Sequence, residues 1–261
     1  MSVLSAWKQT VAEQGSRPRV VAHRGFSHVA PENTLSSVRA AIDAGADEVE
    51  IDVQRTADGQ LVVLHDRSLR RTTDVARVWR DRADDPVETF TLAELSELDA
   101  GAAWGRRTTH EPVPTLIEVL DVLALTDVRL LLELKKPAYF PGIERDLARV
   151  LDHHQVGRRR DVEVQSFDTA ALRRFHRLAP GVSHGVLTKV APQRPQLLSW
   201  AQGVNPWHGS ISAGYVRRAR IVGLTTYAWT VNTVEDMQRL VEAGVDAIIT
   251  DRPDLARGLI G

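Results

Sequence analysis

Glu50 and Asp52 stand two apart in the apolar run Val49-Glu50-Ile51-Asp52-Val53, so in a strand both side chains point to one face and converge. Two carboxylates held together repel, and inside a protein the simplest neutraliser is a hard divalent cation such as Mg2+ or Ca2+. Glu133, within Leu130-Leu131-Leu132-Glu133-Leu134, offers a third oxygen ligand. An isolated Glu-x-Asp is usually a solvated surface pair, but these strands are too apolar for that. His23 and His65 each close an extended run, and two imidazoles aimed at one site can give and take the protons of a hydrolysis near neutral pH. A single histidine is most often structural, and His153 and His154 receive no role; two at strand ends beside a carboxylate cluster make a stronger case. They would also be acceptable metal ligands, yet an oxygen-only set suits Mg2+ or Ca2+ and leaves both imidazoles free for protons. Arg24 and Lys135 add positive charge in the same neighbourhood, as a phosphodiester anion requires. Ion pairing with the nearby acids is their ordinary alternative, and both can hold in turn.

These residues need a scaffold that gathers strand ends. Short apolar runs alternate with amphipathic stretches: 19–23 reads as a strand, 34–44 as a helix stopped by Gly45, 48–53 as a strand, and 60–65 as a further extended run reached through the turn Asp58-Gly59. Further strands are expected at 128–134, 161–165, 183–187, 203–205, 224–229 and 246–250, with helical patterns between them. Eight such units predict a parallel sheet closed into a (β/α)8 TIM barrel, an enzyme scaffold that carries its reacting groups at the C-terminal ends of its strands. His23 and Arg24, Glu50 and Asp52, His65 and Asp66, and Glu133 and Lys135 all fall at such ends. The charged stretch 67–114, with Pro86, Pro112 and Pro114 and weak periodicity, reads as an insertion forming a small lid or an irregular surface excursion.

At 261 residues the chain suits one catalytic barrel domain spanning 1–261. An apolar share of 43% with 5% aromatics predicts a core of aliphatic side chains rather than rings. A net charge of -1 argues against nucleic acid and stable membrane association, so any anion must be met locally by a small-molecule site. With no cysteine, disulfides, thiolate metal sites and cysteine nucleophiles are excluded. The stretch 1–20, with Lys8, Glu13, Arg17 and Arg19, has no apolar core of a secretory signal, and no run reaches membrane-spanning length, so a cytoplasmic protein is expected.

His23-Arg24-Gly25, Pro31-Glu32-Asn33-Thr34, Glu50-Ile51-Asp52 and His65-Asp66 together resemble the ordered signature of the glycerophosphodiester phosphodiesterases. Leu132-Glu133-Leu134-Lys135, Gln165-Ser166-Phe167, Trp229-Thr230-Val231-Asn232 and Thr250-Asp251-Arg252-Pro253 are similar to its later blocks, so the likeness runs from about residue 20 to the C-terminus. The resemblance implies a (β/α)8 barrel with an insertion after the second βα unit, here 67–114, and hydrolysis of glycerophosphodiesters to glycerol 3-phosphate and an alcohol. It also implies that Glu50, Asp52 and Glu133 hold the divalent metal, that His23 and His65 are the acid-base pair, and that Arg24 and Lys135 grip the phosphate. Glu32 would neighbour the metal or the glycerol hydroxyls, and Trp229 would wall the pocket. The nearest rival is a phospholipase D-like lipid phosphodiesterase on the same barrel, which should expose apolar surface near the mouth; Val78-Trp79, Phe90 and Trp104 are its support in the insertion. A non-catalytic phosphate-binding barrel would lack an acid-base or metal group, and none is missing. An isomerase or aldolase barrel would need a Schiff-base lysine or glycine-rich phosphate loop, and neither is clearly placed.

Overall fold

The computed structural model describes residues 17–105, 110–154 and 162–260. The stretch around Lys8 and Glu13, read above as free of a secretory signal, and Asp161 at the head of one expected strand lie outside them.

The expected alternation closes into a barrel. Eight parallel strands form the ring: β1 (Arg19–Ala22), β2 (Glu48–Arg55), β4 (Arg129–Leu134), β5 (Val162–Ser166), β6 (Ser183–Thr188), β7 (Gly203–Pro206), β8 (Tyr227–Ala228) and β9 (Ala247–Thr250). Their spatial order is β7-β6-β5-β4-β2-β1-β9-β8. The seam between β8 and β7 is joined by parallel bridges, with the Val204 amide donating to the Thr225 carbonyl at 2.9 Å and the His208 amide to the Trp229 carbonyl at 3.0 Å. The ninth strand, β3 (Leu61–Val63), stands outside the ring and pairs antiparallel with β2, as the Asp58-Gly59 turn allows.

Among the described residues seven helices cover the ring: α1 (Leu35–Asp43), α2 (Leu116–Leu123), α3 (Ile143–His153), α4 (Thr169–Leu178), α5 (Ala213–Ile221), α6 (Val234–Ala243) and α7 (Pro253–Ile260). Side chains that accept from orphan amides start several of them: Thr34 and Thr115 form capping boxes with Ser37 and Glu118, and Asp168, Ser212 and Thr233 cap α4, α5 and α6. The connection after β6 departs from the expected pattern, because its only helical piece is the tight turn Pro195–Leu198. Pro192 and Pro195 remove two backbone donors there, so a regular helix cannot propagate.

The stretch expected as an insertion after the second βα unit lies instead within that unit, between β3 and α2, because the helix that completes the unit is α2 at Leu116–Leu123. The turns of the stretch, Leu69–Arg71, Val75–Val78, Arg80–Arg82, Val87–Thr89 and Leu92–Leu95, close over Leu69, Val75, Val87, Phe90, Leu95 and Leu98, all fully buried and continuous with the main core. Two of the aromatic residues expected to form a lipid-facing surface are part of that packing, Phe90 being buried against the half-buried Trp79 with ring centroids 5.8 Å apart, and Trp104 is half-buried.

Strand alternation divides the core in two. Val49, Ile51 and Val53 face outward into the layer packed against the helices, whereas Val21, Leu131, Tyr227, Ala247 and Ile249 form a small apolar plug inside the ring. The core is mainly aliphatic, as the composition suggests, with Phe90, Phe140, Phe175 and Tyr215 as the large rings between strands and helices and Tyr227 in the plug. At the N-terminal end of the ring the interior turns polar. Arg19 pairs with Glu48 at 2.6 Å and lies over the Tyr227 ring, 4.8 Å from its centroid, while buried Glu163 keeps one oxygen without a hydrogen bond.

Burial, reinforced by nearby Glu48, pushes the Glu163 carboxyl up to about 7. Between its ordinary range and that value the folded chain holds a proton that the unfolded chain has lost, so this group makes stability fall as pH rises through that window. Glu163→Gln is expected to remove the slope and to gain about 1–3 kcal/mol over the parent at about pH 8 relative to about pH 5. Urea denaturation at both pH values checks it; an unchanged pH dependence would mean that Glu163 is ionised throughout.

Candidate active site

Three acids meet at the C-terminal mouth of the ring. In β2 the side chains of Glu50 and Asp52 share the inner face, and the parallel register sets Asp52 beside Glu133 of β4. Oxygen atoms of all three lie within 4.8 Å of one another, and all three residues are buried. Two cations and an amide offset part of the charge. Lys135 Nζ is 2.7 Å from Glu133 and 3.4 Å from Asp52, Arg24 Nε is 3.2 Å from Asp52, and Asn33 donates to Asp52 at 2.9 Å. The Arg24 amide donates to Glu50 at 2.9 Å.

The compensation is uneven. Burial first, and then the neighbouring charges of Asp52 and Glu133, hold the Glu50 carboxyl well above the usual range. Glu133 is pushed up to about 7 by burial and by Asp52. At Asp52 burial acts in the same direction but is outweighed by Lys135 and Arg24, which bring it down to about 2. Asp52 Oδ1 is buried and makes no hydrogen bond. A set of carboxylate oxygens this close, two of whose members have raised proton affinity, fits a hard divalent cation and no soft one.

Each histidine is held by a carboxylate. His23, at the end of β1, meets Asp251 through Nδ1 at 2.6 Å; Asp251 in turn accepts from Ser27 at 3.1 Å and Asn232 at 2.6 Å. His65, just past β3, meets Asp66 through Nδ1 at 2.6 Å. In both cases Nε2 is the nitrogen left for proton exchange, and the carboxylate sets the ring's orientation and tautomer. Burial lowers the affinity of His65 for its proton. Gln54, the next residue on the face that carries Glu50 and Asp52, donates to the carbonyls of Leu64, His65 and Asp66 at 2.8, 3.0 and 2.9 Å and so fixes the loop that carries the second imidazole.

The remaining sequence candidates fall around this centre. Glu32 stands outside the three-acid group, paired with Arg24 at 2.9 Å and with Arg71 at 2.7 Å. Trp229 follows β8, donates to the Asn205 carbonyl at 2.8 Å and meets Phe167 edge-on, with centroids 5.6 Å apart. Two cavities flank the acids. A polar one of about 280 Å3 is lined by His23, Arg24, Ser27, His28, Glu32 and Asp251. A more apolar one of about 430 Å3 is bounded by Glu133, Lys135, Pro137, Ala138 and Phe167 among others. Asp251, Asn33, Gln54 and Arg71 received no role from the sequence alone. Asp251 follows the apolar run of β9 directly, so the strand-end rule that selected His23 could have selected it too.

Tight backbone geometry supports the loop after β1. Arg24 and Gly25 are consecutive left-handed residues, φ 54° and 78°, and a Cβ on Gly25 would lie 2.4 Å from Ser37 Oγ and 2.5 Å from the Ser37 carbonyl carbon. Glycine lets the first turn of α1 pass beneath Arg24, whose carbonyl accepts from Ser37 Oγ at 2.9 Å and from the Asn33 amide at 3.0 Å. Gly25→Ala should therefore cost roughly 2–4 kcal/mol of stability through clash and backbone strain. Equilibrium urea denaturation measures it; an unshifted midpoint would show that the loop relaxes at no cost.

Residues 23–255 match the glycerophosphoryl diester phosphodiesterase family. A glycerophosphodiester phosphodiesterase from Caldanaerobacter subterraneus subsp. tengcongensis is 36% identical, the match covering 92% of this chain and 97% of the relative. Among solved structures, an Oleispira antarctica phosphodiesterase in complex with the product sn-glycerol-3-phosphate is 30% identical and superposes with a TM-score of 0.81 over 94% of this chain and 97% of its own. The glycerophosphodiester phosphodiesterase from Agrobacterium tumefaciens is 27% identical, with a TM-score of 0.76 over 92% and 98%. With the match spanning both imidazoles and all three acids, the chain belongs to the glycerophosphoryl diester phosphodiesterase family.

Proposed function

We propose that this protein hydrolyses glycerophosphodiesters to sn-glycerol 3-phosphate and an alcohol in a single catalytic domain spanning 1–261, with 67–114 as its elaborated loop. The observation that carries the reading is the meeting of Glu50, Asp52 and Glu133 within one buried pocket beside two carboxylate-backed imidazoles. The product held by the Oleispira antarctica relative supports the substrate class.

A phosphodiester resists attack because its charge repels nucleophiles and its alkoxide leaves poorly. Glu50, Asp52 and Glu133 would hold Mg2+ or Ca2+, which when bound neutralises phosphate charge and lowers the pKa of an attacking hydroxyl. Arg24 and Lys135 bind the phosphate, for which they exchange part of their pairing with Asp52, Glu32 and Glu133. One of His23 and His65 accepts the proton of the attacking oxygen, water or the adjacent glycerol 2-hydroxyl, through Nε2, and the other protonates the departing oxygen; the second route forms a cyclic phosphate that water then opens. Glu32 and Trp229 bound the substrate: Glu32 lines the polar cavity beside Arg24, and Trp229 backs Phe167 at the apolar one. The net charge of -1 supports a small-molecule partner over nucleic acid, and the cysteine-free composition supports a cytoplasmic location. Among the described residues no helix is long and apolar enough to cross a membrane. The burial of Phe90 and the packing of Trp79 against it leave the lipid phosphodiesterase reading with less apolar surface than the sequence offered it.

The protein should release glycerol 3-phosphate from glycerophosphocholine, lose that activity in EDTA and recover it on adding Mg2+ or Ca2+. His23→Ala and His65→Ala should each slow turnover by about 100-fold or more. Near-parental rates in both variants would remove the imidazoles from the reaction, and faster turnover of lysophosphatidylcholine than of glycerophosphocholine would return the lipid reading.

A further inference from the structure

One side chain of the 67–114 segment reaches back to the reaction centre. Arg71 ends the turn Leu69–Arg71, whose Leu69 is fully buried, so its backbone is anchored in the core while its side chain remains about half exposed. The guanidinium meets two carboxylates at once. Nη1 and Nη2 donate to Glu32 Oε2 and Oε1, both at 2.7 Å, and Nε donates to Asp66 Oδ2. The other oxygen of Asp66 is the one on His65 Nδ1. A single planar cation therefore ties the loop after β1, where Glu32 lies, to the loop after β3, where His65 lies.

We propose that Arg71 is a positioning residue for His65: forked onto Glu32, it presents its third donor to Asp66 and so keeps that carboxylate on the imidazole's Nδ1. The inference rests on the phosphodiesterase reading given above and assigns the insertion a task, since its first turn supplies the group that orders the imidazole. The chemistry asks for arginine. Its five donors lie in a rigid plane and can serve two carboxylates in fixed directions, whereas a lysine ammonium is a point charge on a flexible stem. Without Arg71, Asp66 keeps only His65 as a side-chain partner among the described residues and is free to turn toward solvent with its ring. Proton transfer demands a fixed donor–acceptor geometry, so the loss falls on turnover rather than on substrate binding.

Steady-state kinetics on glycerophosphocholine with added Mg2+ test this. Arg71→Ala is expected to lower kcat by about 10-fold or more while KM stays within about 3-fold. In the Asp66→Asn background the same substitution should cost no more than about a further 2-fold, because both changes break one connection. Arg71→Lys, which keeps the charge and spares the fold if the alanine variant unfolds, should fall between parent and Arg71→Ala; full kcat in the lysine variant overturns the fork. Losses that multiply in the double variant overturn the route through Asp66. A higher KM at unchanged kcat makes Arg71 a substrate ligand instead, and a lower melting temperature with parental kcat per folded molecule makes it a structural strut alone. Failure of the phosphodiesterase reading is separable, since the parent protein itself would then release no glycerol 3-phosphate.

Discussion

Three carboxylates inside one barrel mouth impose the constraint around which the rest of the molecule is arranged. Like charges held this close and this deep are unfavourable unless opposite charge is brought to them. Lys135 and Arg24 bring some, which outweighs burial at Asp52 and holds its carboxyl low, while burial and the neighbouring acids leave Glu50 and Glu133 raised. The residual imbalance would be relieved by a small hard cation, and the same two side chains that partly relieve it are those proposed to meet the phosphate. Stability and function are therefore in tension here, and the fully buried strands on either side hold the acids in place.

The two imidazoles proposed to handle protons are organised on a different plan. Neither imidazole is held by packing alone; each is fastened by Nδ1 to a carboxylate that other polar groups hold in turn, Asp251 by Ser27 and Asn232, and Asp66 by Arg71. Gln54 adds a brace on the backbone of the His65 loop. Such chains of hydrogen bonds limit rotation of the reacting ring without adding bulk at the mouth, which must admit substrate.

The interior of the ring is polar at both ends, with only a thin plug of Val21, Leu131, Ala247 and Ile249 and the Tyr227 ring between the active-site acids and the cluster of Arg19, Glu48 and Glu163. Most apolar burial lies instead between the strands and the helices. The barrel mouth can thus carry charge without emptying the core, because the layer that drives folding is outside the ring.

The linear sequence determined what depends on local period and composition. A spacing of two in an apolar strand placed Glu50 and Asp52 on one face, sustained alternation of strand and helix patterns implied the barrel, and strand-end position singled out His23, His65, Glu133 and Lys135. The start and the stop of α1 were readable from Thr34 and Gly45 because caps and left-handed stops act within a turn. Tertiary structure decided whatever depends on register and closure. Asp52 faces Glu133 because β2 and β4 pair in one particular register, and Asp251 reaches His23 across 228 positions because β9 lies beside β1. The contacts of Arg71, the inward turn of Phe90 and the loss of a helix after β6 belong to the same class. Each is set by which distant segments become neighbours, a long-range property that no window of adjacent residues contains.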